Sequence, residues 1–376
     1  MDTTLLYFES IDFPIIFLAL LFSLPTLIIL FRGEGAFSDR EWIIFRATLL
    51  IPIFVVVIGL LLFIHHPGFT SVRLIYYVGA SVYPLIGLFL LLIMKKRKAA
   101  KSWKTRGVHI LGMLCLGLLP LAFWMTFVEP RWMDITTTRI TTQDGVDKEP
   151  IRIVVLTDIQ TDHFGEWEDR IIEEANALHP DIILIPGDLL QATKENYAEE
   201  LVKANRFLNA LNAKHGSFIV QGDADRKVQD YDQSKVELLF NTHRTLTIRG
   251  RRIRIGGTEL NYEKDAVKRA IERAEESPIE LNIIFAHRPM TATIGEVKTS
   301  AIDLFVAGHT HGGQISIPFF GPPITMSAVP RHIAVGGLGR LSGRQIYVSR
   351  GLGLERMDAP RLRLNCRPEL ALLIVN

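Results

Sequence analysis

A run of small residues late in the sequence carries two imidazoles: Gly308-His309-Thr310-His311-Gly312-Gly313-Gln314. A neutral imidazole nitrogen is a good ligand for Zn, Mn, Fe or Ni. The run follows Ile302–Ala307, an apolar stretch that predicts a buried strand. Two histidines two residues apart on a turn can both project from the end of that strand. The neighbouring glycines let backbone and substrate approach closely. Such a pair gains meaning from acidic groups at other strand ends, and the sequence supplies them. Asp158 and Gln160 follow the apolar run Ile151–Thr157, and Asp188 follows Asp181–Pro186. Asp223 and Asp225 follow Ser217–Val220, and His287 follows Leu281–Ala286. Residues at the carboxyl ends of adjacent strands converge in the crevice where α/β proteins place their sites. Carboxylates, an amide and imidazoles in this number suit two divalent cations. Asp188, alone after its strand, is the natural bridge. Two cations roughly 3.5–4 Å apart favour in-line displacement at phosphorus by a metal-bound hydroxide.

The elements that must position these groups read as alternating strands and helices from Ile151 onward. Helical periodicity covers Glu166–Leu178, Asn196–Ala213 and Asp265–Glu276. Arg244–Ile248 and Arg252–Ile255 predict a hairpin around Gly250, and Gln345–Ser349 and Leu370–Val375 predict late strands. Gly336-Gly337-Leu338-Gly339 reads as a loop, with no helix after it to make a phosphate cradle. Alternation followed by further strands predicts an α/β domain over residues 151–376 with two sheets packed together. Residues 129–150, polar and rich in threonine, read as a juxtamembrane linker or an edge hairpin.

The chain has 376 residues, 48% of them hydrophobic, and the apolar residues concentrate at the front. Phe13–Phe31, Trp42–Ile64, Leu74–Met94 and Val108–Val128 are each long enough to cross about 30 Å of hydrocarbon as a helix. Residues 1–128 therefore predict a bundle of four transmembrane helices, with tryptophans and tyrosines near the segment ends. Seven basic residues stand between Lys95 and Arg106, which predicts that this loop is cytoplasmic. The later residues would then lie on the exoplasmic side of an inner or plasma membrane. The helices carry few ionisable residues, which disfavours a transporter. A net charge of +2 argues against a general nucleic-acid binder. Cys115 and Cys366 offer neither metal spacing nor an expected disulfide. Membrane lipids and a phosphate-containing small molecule or lipid are the expected partners. Oligomeric state is not legible.

Taken in order, Asp158-Ile159-Gln160, Gly187-Asp188, Gly222-Asp223-Ala224-Asp225, Ala286-His287-Arg288-Pro289 and Gly308-His309-Thr310-His311 resemble the motifs of the calcineurin-like metallophosphoesterases, in particular their membrane-attached branch. The segment Tyr347–Gly353 and the ending Arg367-Pro368-Glu369-Leu370 share that likeness. The resemblance implies two mixed sheets packed as a sandwich and flanked by helices, and a two-metal site. By position, one ion would take Asp158, Gln160, Asp188 and His311, and the other Asp188, Asp223, His287 and His309. Mn, Zn, Fe and Mg all suit such a set. Gln160 stands where the family usually has His, and its harder amide oxygen favours Mn. His163 lies close enough in sequence to be a substitute ligand, although a solvated loop histidine is the plainer reading. Asp223-Ala224 replaces the usual Asn-His, which removes the group that protonates the leaving oxygen. A diphosphate or an activated diester suffers least from that loss. Asp225, Arg288 and Arg350 are the candidates to replace it, with Arg288 and Arg350 also suited to phosphate. The competing reading is a non-catalytic membrane receptor or scaffold on a degenerate domain.

Overall fold

The computed structural model describes residues 69–96, 103–141, 149–225, 227–260, 266–271, 278–327, 329–356 and 359–376. The chain divides into two compact units, Met1–Phe127 with Arg356–Arg361, and Val128–Glu355 with Leu362–Asn376. The first two expected apolar segments lie outside the described residues, as do residues 97–102 of the basic loop.

In the first unit, α1 (Phe69–Tyr77) passes through a π-helical turn at Val78–Val82 into α2 (Tyr83–Lys96), and α3 (Trp103–Phe123) follows. The π turn sits immediately before Pro84, where a missing amide breaks the regular ladder. α2 and α3 pack closely at Gly87, where an added Cβ would lie 2.6 Å from the Gly112 carbonyl. Two stretches, Ile75–Leu92 and His109–Arg131, are long and apolar enough to cross a membrane by length and composition.

The second unit is α/β. Its strands are β1 (Asp134–Ile140), β2 (Ile151–Val155), β3 (Ile182–Ile185), β4 (Ser217–Ile219), β5 (Val236–Leu238), β6 (Thr242–Ile248), β7 (Arg251–Gly257), β8 (Leu281–Ala286), β9 (Leu304–Ala307), β10 (Gly337–Leu341), β11 (Arg344–Val348) and β12 (Glu369–Val375). They form two mixed sheets, ordered β1-β12-β2-β3-β4-β5 and β10-β11-β9-β8-β7-β6. Within the first sheet β2, β3, β4 and β5 run parallel, and within the second β7, β8, β9 and β11 do. The central strands are apolar on both faces, as parallel strands covered on each side must be. Ile153, Val155, Leu184 and Leu373 of one sheet meet Ile253, Ile283, Phe285 and Val306 of the other in a shared core.

Helices cover the outer faces. α4 (Glu166–Ala177) and α5 (Tyr197–Ala210) set Ile171, Ala175, Phe207 and Leu208 against the first sheet. α4 starts where the Glu168 carboxylate accepts from the Gly165 amide at 2.8 Å, one half of a capping box. α6 (Ala266–Ile271), α7 (Thr291–Thr299) and α8 (Arg331–Ala334) cover the second sheet through Val267, Ile294, Val297 and Ile333.

Several expectations are corrected. The expected linker at 129–150 contains β1, which is no hairpin: it pairs in parallel with β12 at the sheet edge. Its residues alternate between exposed and half-buried, as suits an edge strand. The glycine run at 336–339 enters β10, antiparallel to β11, instead of a loop. β5, α7 and α8 are short, and their periodicity did not stand out. α6 falls inside the expected Asp265–Glu276 helix, whose remaining residues lie outside the described ones.

Candidate metal centre

The five turns that follow β2, β3, β4, β8 and β9 meet at one edge of the two sheets. All seven expected ligand residues crowd there. Ligand atoms of Asp158, Asp188 and His287 lie within 4.8 Å of one another, as do those of Asp223, His287 and His309. His287 Nε2 is 3.4 Å from Asp188 Oδ2 and 3.6 Å from Asp223 Oδ2. His309 Nδ1 is 3.0 Å from Asp223 Oδ2, and His311 Nε2 is 3.6 Å from Asp158 Oδ1. Gln160 Nε2 donates to Asp188 Oδ2 at 2.8 Å.

The backbone is bent to present these groups. Asp158, Gln160, Asp188, His309 and His311 all have φ between 41° and 70°. That left-handed region is uncommon for residues with a side chain, and a cluster of such residues points to a functional site. The turns also press together. A Cβ on Gly222 would strike Asp188, so only glycine fits where the third turn crosses the second.

His287 and His309 each have one ring nitrogen committed to a backbone carbonyl and the other turned towards carboxylates. His287 Nδ1 donates to the Pro186 carbonyl at 2.8 Å, and His309 Nε2 to the Met326 carbonyl at 3.1 Å. Such bonds fix the tautomer and leave the other nitrogen as a ligand atom. Gln160 Oε1, His287 Nε2 and both ring nitrogens of His311 are buried and make no hydrogen bond. Buried polar atoms rarely stay unpaired, and lone pairs gathered beside carboxylates are what a cation would satisfy.

Electrostatics agree. Burial pushes the Asp158 and Asp188 carboxyls above their ordinary range, in Asp188 well above it. Burial opposes charge on His287, but Asp188, Asp223 and Asp158 around it carry its imidazolium up to about 10. Burial likewise opposes charge on Asp223, yet His287 and His309 hold its carboxyl far below the usual range. Burial pushes the His311 imidazole well below its ordinary value, leaving it neutral. The pocket thus holds concentrated negative charge that demands protons or cations.

The remaining candidates separate. Asp225 is buried, and its two oxygens accept from the amides of Asp188, Leu189, Leu190 and Gly222 and from the Tyr231 hydroxyl. Both oxygens are thus committed to fastening the turns that carry Asp188 and Gly222. Arg288 stands at the rim with Nε 2.7 Å from Asp223 Oδ2. Arg350 is tied to Asp134 at 2.9 Å and to the Glu369 carboxylate at 3.4 Å, so it serves the β1–β12 edge. His163 bonds Glu200 at 2.8 Å and joins neither ligand group. Ala224 contributes its backbone, with the amide donating to Asp188 Oδ1 at 2.7 Å.

Sequence reading missed two supports. Thr157 Oγ1 donates to Asp158 Oδ2 at 3.0 Å. Arg363, fully buried, donates to the carbonyls of Arg350, Gly351, Gly353 and Cys366. It thereby pins the turn whose Gly353 amide donates to the Asp158 carbonyl at 2.6 Å. Nothing in an Arg-Leu-Arg tripeptide signals that role.

The model of the calcineurin-like phosphoesterase family matches residues 151–313, which include every ligand candidate. A metallophosphoesterase of Helicobacter pylori is 31% identical over 278 residues, covering 69% of this chain and 67% of its own. The chain belongs to the calcineurin-like phosphoesterase family. It is a metal-dependent phosphoesterase, a hydrolase. The phosphodiesterase YaeI of Escherichia coli is 27% identical over 264 residues, covering 66% of this chain and 91% of that one. A zebrafish (Danio rerio) relative, named a transmembrane protein with metallophosphoesterase domain, is 26% identical over 255 residues, 60% of this chain and 53% of that one.

Proposed function

We propose that this phosphoesterase is a membrane-anchored hydrolase of phosphodiester or diphosphate bonds that works with two divalent cations. The observation that carries the reading is the trio of buried, unsatisfied atoms, Gln160 Oε1, His287 Nε2 and His311 Nε2, beside Asp158 and Asp188. Asp158, Gln160, Asp188 and His311 would hold one cation, and Asp188, Asp223, His287 and His309 the other. Bound cations of this kind supply a water that loses its proton near neutral pH and charge that offsets the phosphoryl oxygens. The amide oxygen of Gln160 favours Mn.

The chain's own groups orient the rest. Asp225 sets the turn that carries Asp188. Arg288 uses only Nε on Asp223 and is partly exposed, so its two Nη groups suit phosphate oxygens at the rim. Ala224 puts a methyl group where the family has a proton donor. The leaving group must therefore depart with little help, as a phosphate or an aryloxide does. The two apolar helices and the zebrafish relative's name support anchoring. The basic residues between Lys95 and Arg106 support an exoplasmic site. Anchoring in turn favours a substrate in or near the bilayer, such as a phospholipid or a lipid-linked diphosphate.

The test is direct. The purified full chain should contain divalent metal and hydrolyse an aryl phosphodiester or an organic diphosphate, and Asp188→Asn should lose both properties. Bound metal without turnover on either substrate would support a receptor built on the same fold.

A further inference from the structure

Directly after the histidine run, residues 315–326 (Ile-Ser-Ile-Pro-Phe-Phe-Gly-Pro-Pro-Ile-Thr-Met) carry no charge. They form a tight, braced turn. The Phe320 and Gly321 amides donate to the Ile317 carbonyl at 3.0 and 2.8 Å, and the Ile317 amide donates to Gly321 at 3.1 Å. Pro318 and Phe319 are its central residues, and Phe319 has φ 66°. Glycine ordinarily takes that position, because a side chain there is strained. Here the strain holds an aromatic ring fully in solvent, flanked by Ile317, Phe320 and Met326 at 44–60% exposure. Arg331 braces the turn from behind: its guanidinium lies 4.3 Å from the Phe320 ring centre and donates to the Pro322 carbonyl.

Between Asp303 and Glu355 the sequence has no acidic residue, and Arg331, the cation that braces the turn, stands there. An apolar tip with a cation at its base fits an anionic lipid surface: rings enter the acyl boundary and Arg331 meets headgroup phosphates. The tether is short as well. Only Trp132 and Met133 separate the turn Glu129–Arg131, where the second apolar stretch ends, from β1.

We propose that the turn Ile317–Met326 is a wedge that enters an anionic lipid bilayer. This rests on the anchored reading above and deepens it: the substrate class becomes a lipid whose phosphate lies at headgroup depth. The wedge is joined to the chemistry, because the Met326 carbonyl at its end holds His309 Nε2. Entry of the tip would thus set both the depth of the site and the aim of one ligand.

The full chain is reconstituted in nanodiscs of phosphatidylcholine with phosphatidylglycerol, and a polarity-sensitive fluorophore is placed by Phe319→Cys. Val202→Cys, on exposed α5, is the comparison, and a label at Phe320→Cys guards against local disruption at one position. Nitroxide-bearing acyl chains should quench the labels at 319 and 320 severalfold more than the label at 202, with a blue-shifted emission. Quenching at both turn positions no greater than at 202 overturns the proposal, including when labelled turns instead quench one another as paired copies would. Hydrolysis of a soluble aryl diester is measured on the parent chain in the same discs. Loss of that hydrolysis in the parent would count against the phosphoesterase reading and leave the quenching comparison standing, and failure to recover the chain in the disc fraction would overturn the anchored reading and the wedge with it.

Discussion

At the scale of single residues, the site is a contest between burial and charge. Asp158, Asp188 and His287 are nearly inaccessible, yet each must carry or meet charge. Their geometry is maintained by groups that touch no substrate. Asp225 is the clearest case, receiving four amides and a hydroxyl. Asp225→Asn keeps the shape but replaces one acceptor oxygen with a donor that faces amides. Metal affinity or turnover should fall about 10- to 100-fold, the usual cost of disturbing a group that orients a ligand; metal titration followed by initial rates checks this. Ala224 offers the reverse experiment. Ala224→His should raise turnover of a diester with a poor leaving group by about a hundredfold or more, the range a positioned proton donor contributes. No change on any ester would remove the account of the missing acid. The ligand residues were legible because five apolar runs each end in a group that binds cations. The role of Asp225 was not, because an aspartate at a turn reads the same whether it binds a metal or fastens amides.

At the scale of elements, the strands are held at the end opposite the site by a separate polar lock. Asp181, just before β3, accepts from the Arg152 amide at 2.9 Å and from Arg249, in the β6–β7 turn, at 2.8 and 3.0 Å. It thus joins the two sheets. Burial works against its charge, but Arg249 and the Arg152 amide hold its carboxyl below the ordinary 3.8. A depressed value means the stabilisation is present above that pH and fades as acid protonates the folded form. Asp181→Asn should cost about 2–3 kcal/mol at neutral pH. The gap between variant and parent should close below the ordinary carboxylate range, as denaturant unfolding at several pH values would reveal. Long apolar strands and the β6–β7 hairpin could be read from periodicity. β1 could not, since Ile-Thr-Thr-Thr-Arg is shaped by an edge and by a partner, β12, more than two hundred residues away. β10 was hidden for a related reason: glycines suggest a loop until a neighbour, here β11, supplies the pairing.

At the scale of the whole molecule, ligands arrive from both sheets. The turns after β2, β3 and β4 belong to one and those after β8 and β9 to the other. A cation bound between them stabilises the native state alone. At a hundredfold excess over its dissociation constant it contributes about 2.7 kcal/mol. Chelation should therefore lower the melting temperature of the phosphoesterase unit by about 5–10 °C, at roughly 2–4 °C per kcal/mol for a domain of this size. A melt that chelator and added Mn leave unmoved would argue against cations at the seam. The split origin of the ligands has another consequence. Either sheet formed alone carries only part of each ligand set, so a half-folded chain has no competent site to misuse. Reactivity becomes a certificate of assembly: a register slip in either sheet would yield an inert molecule.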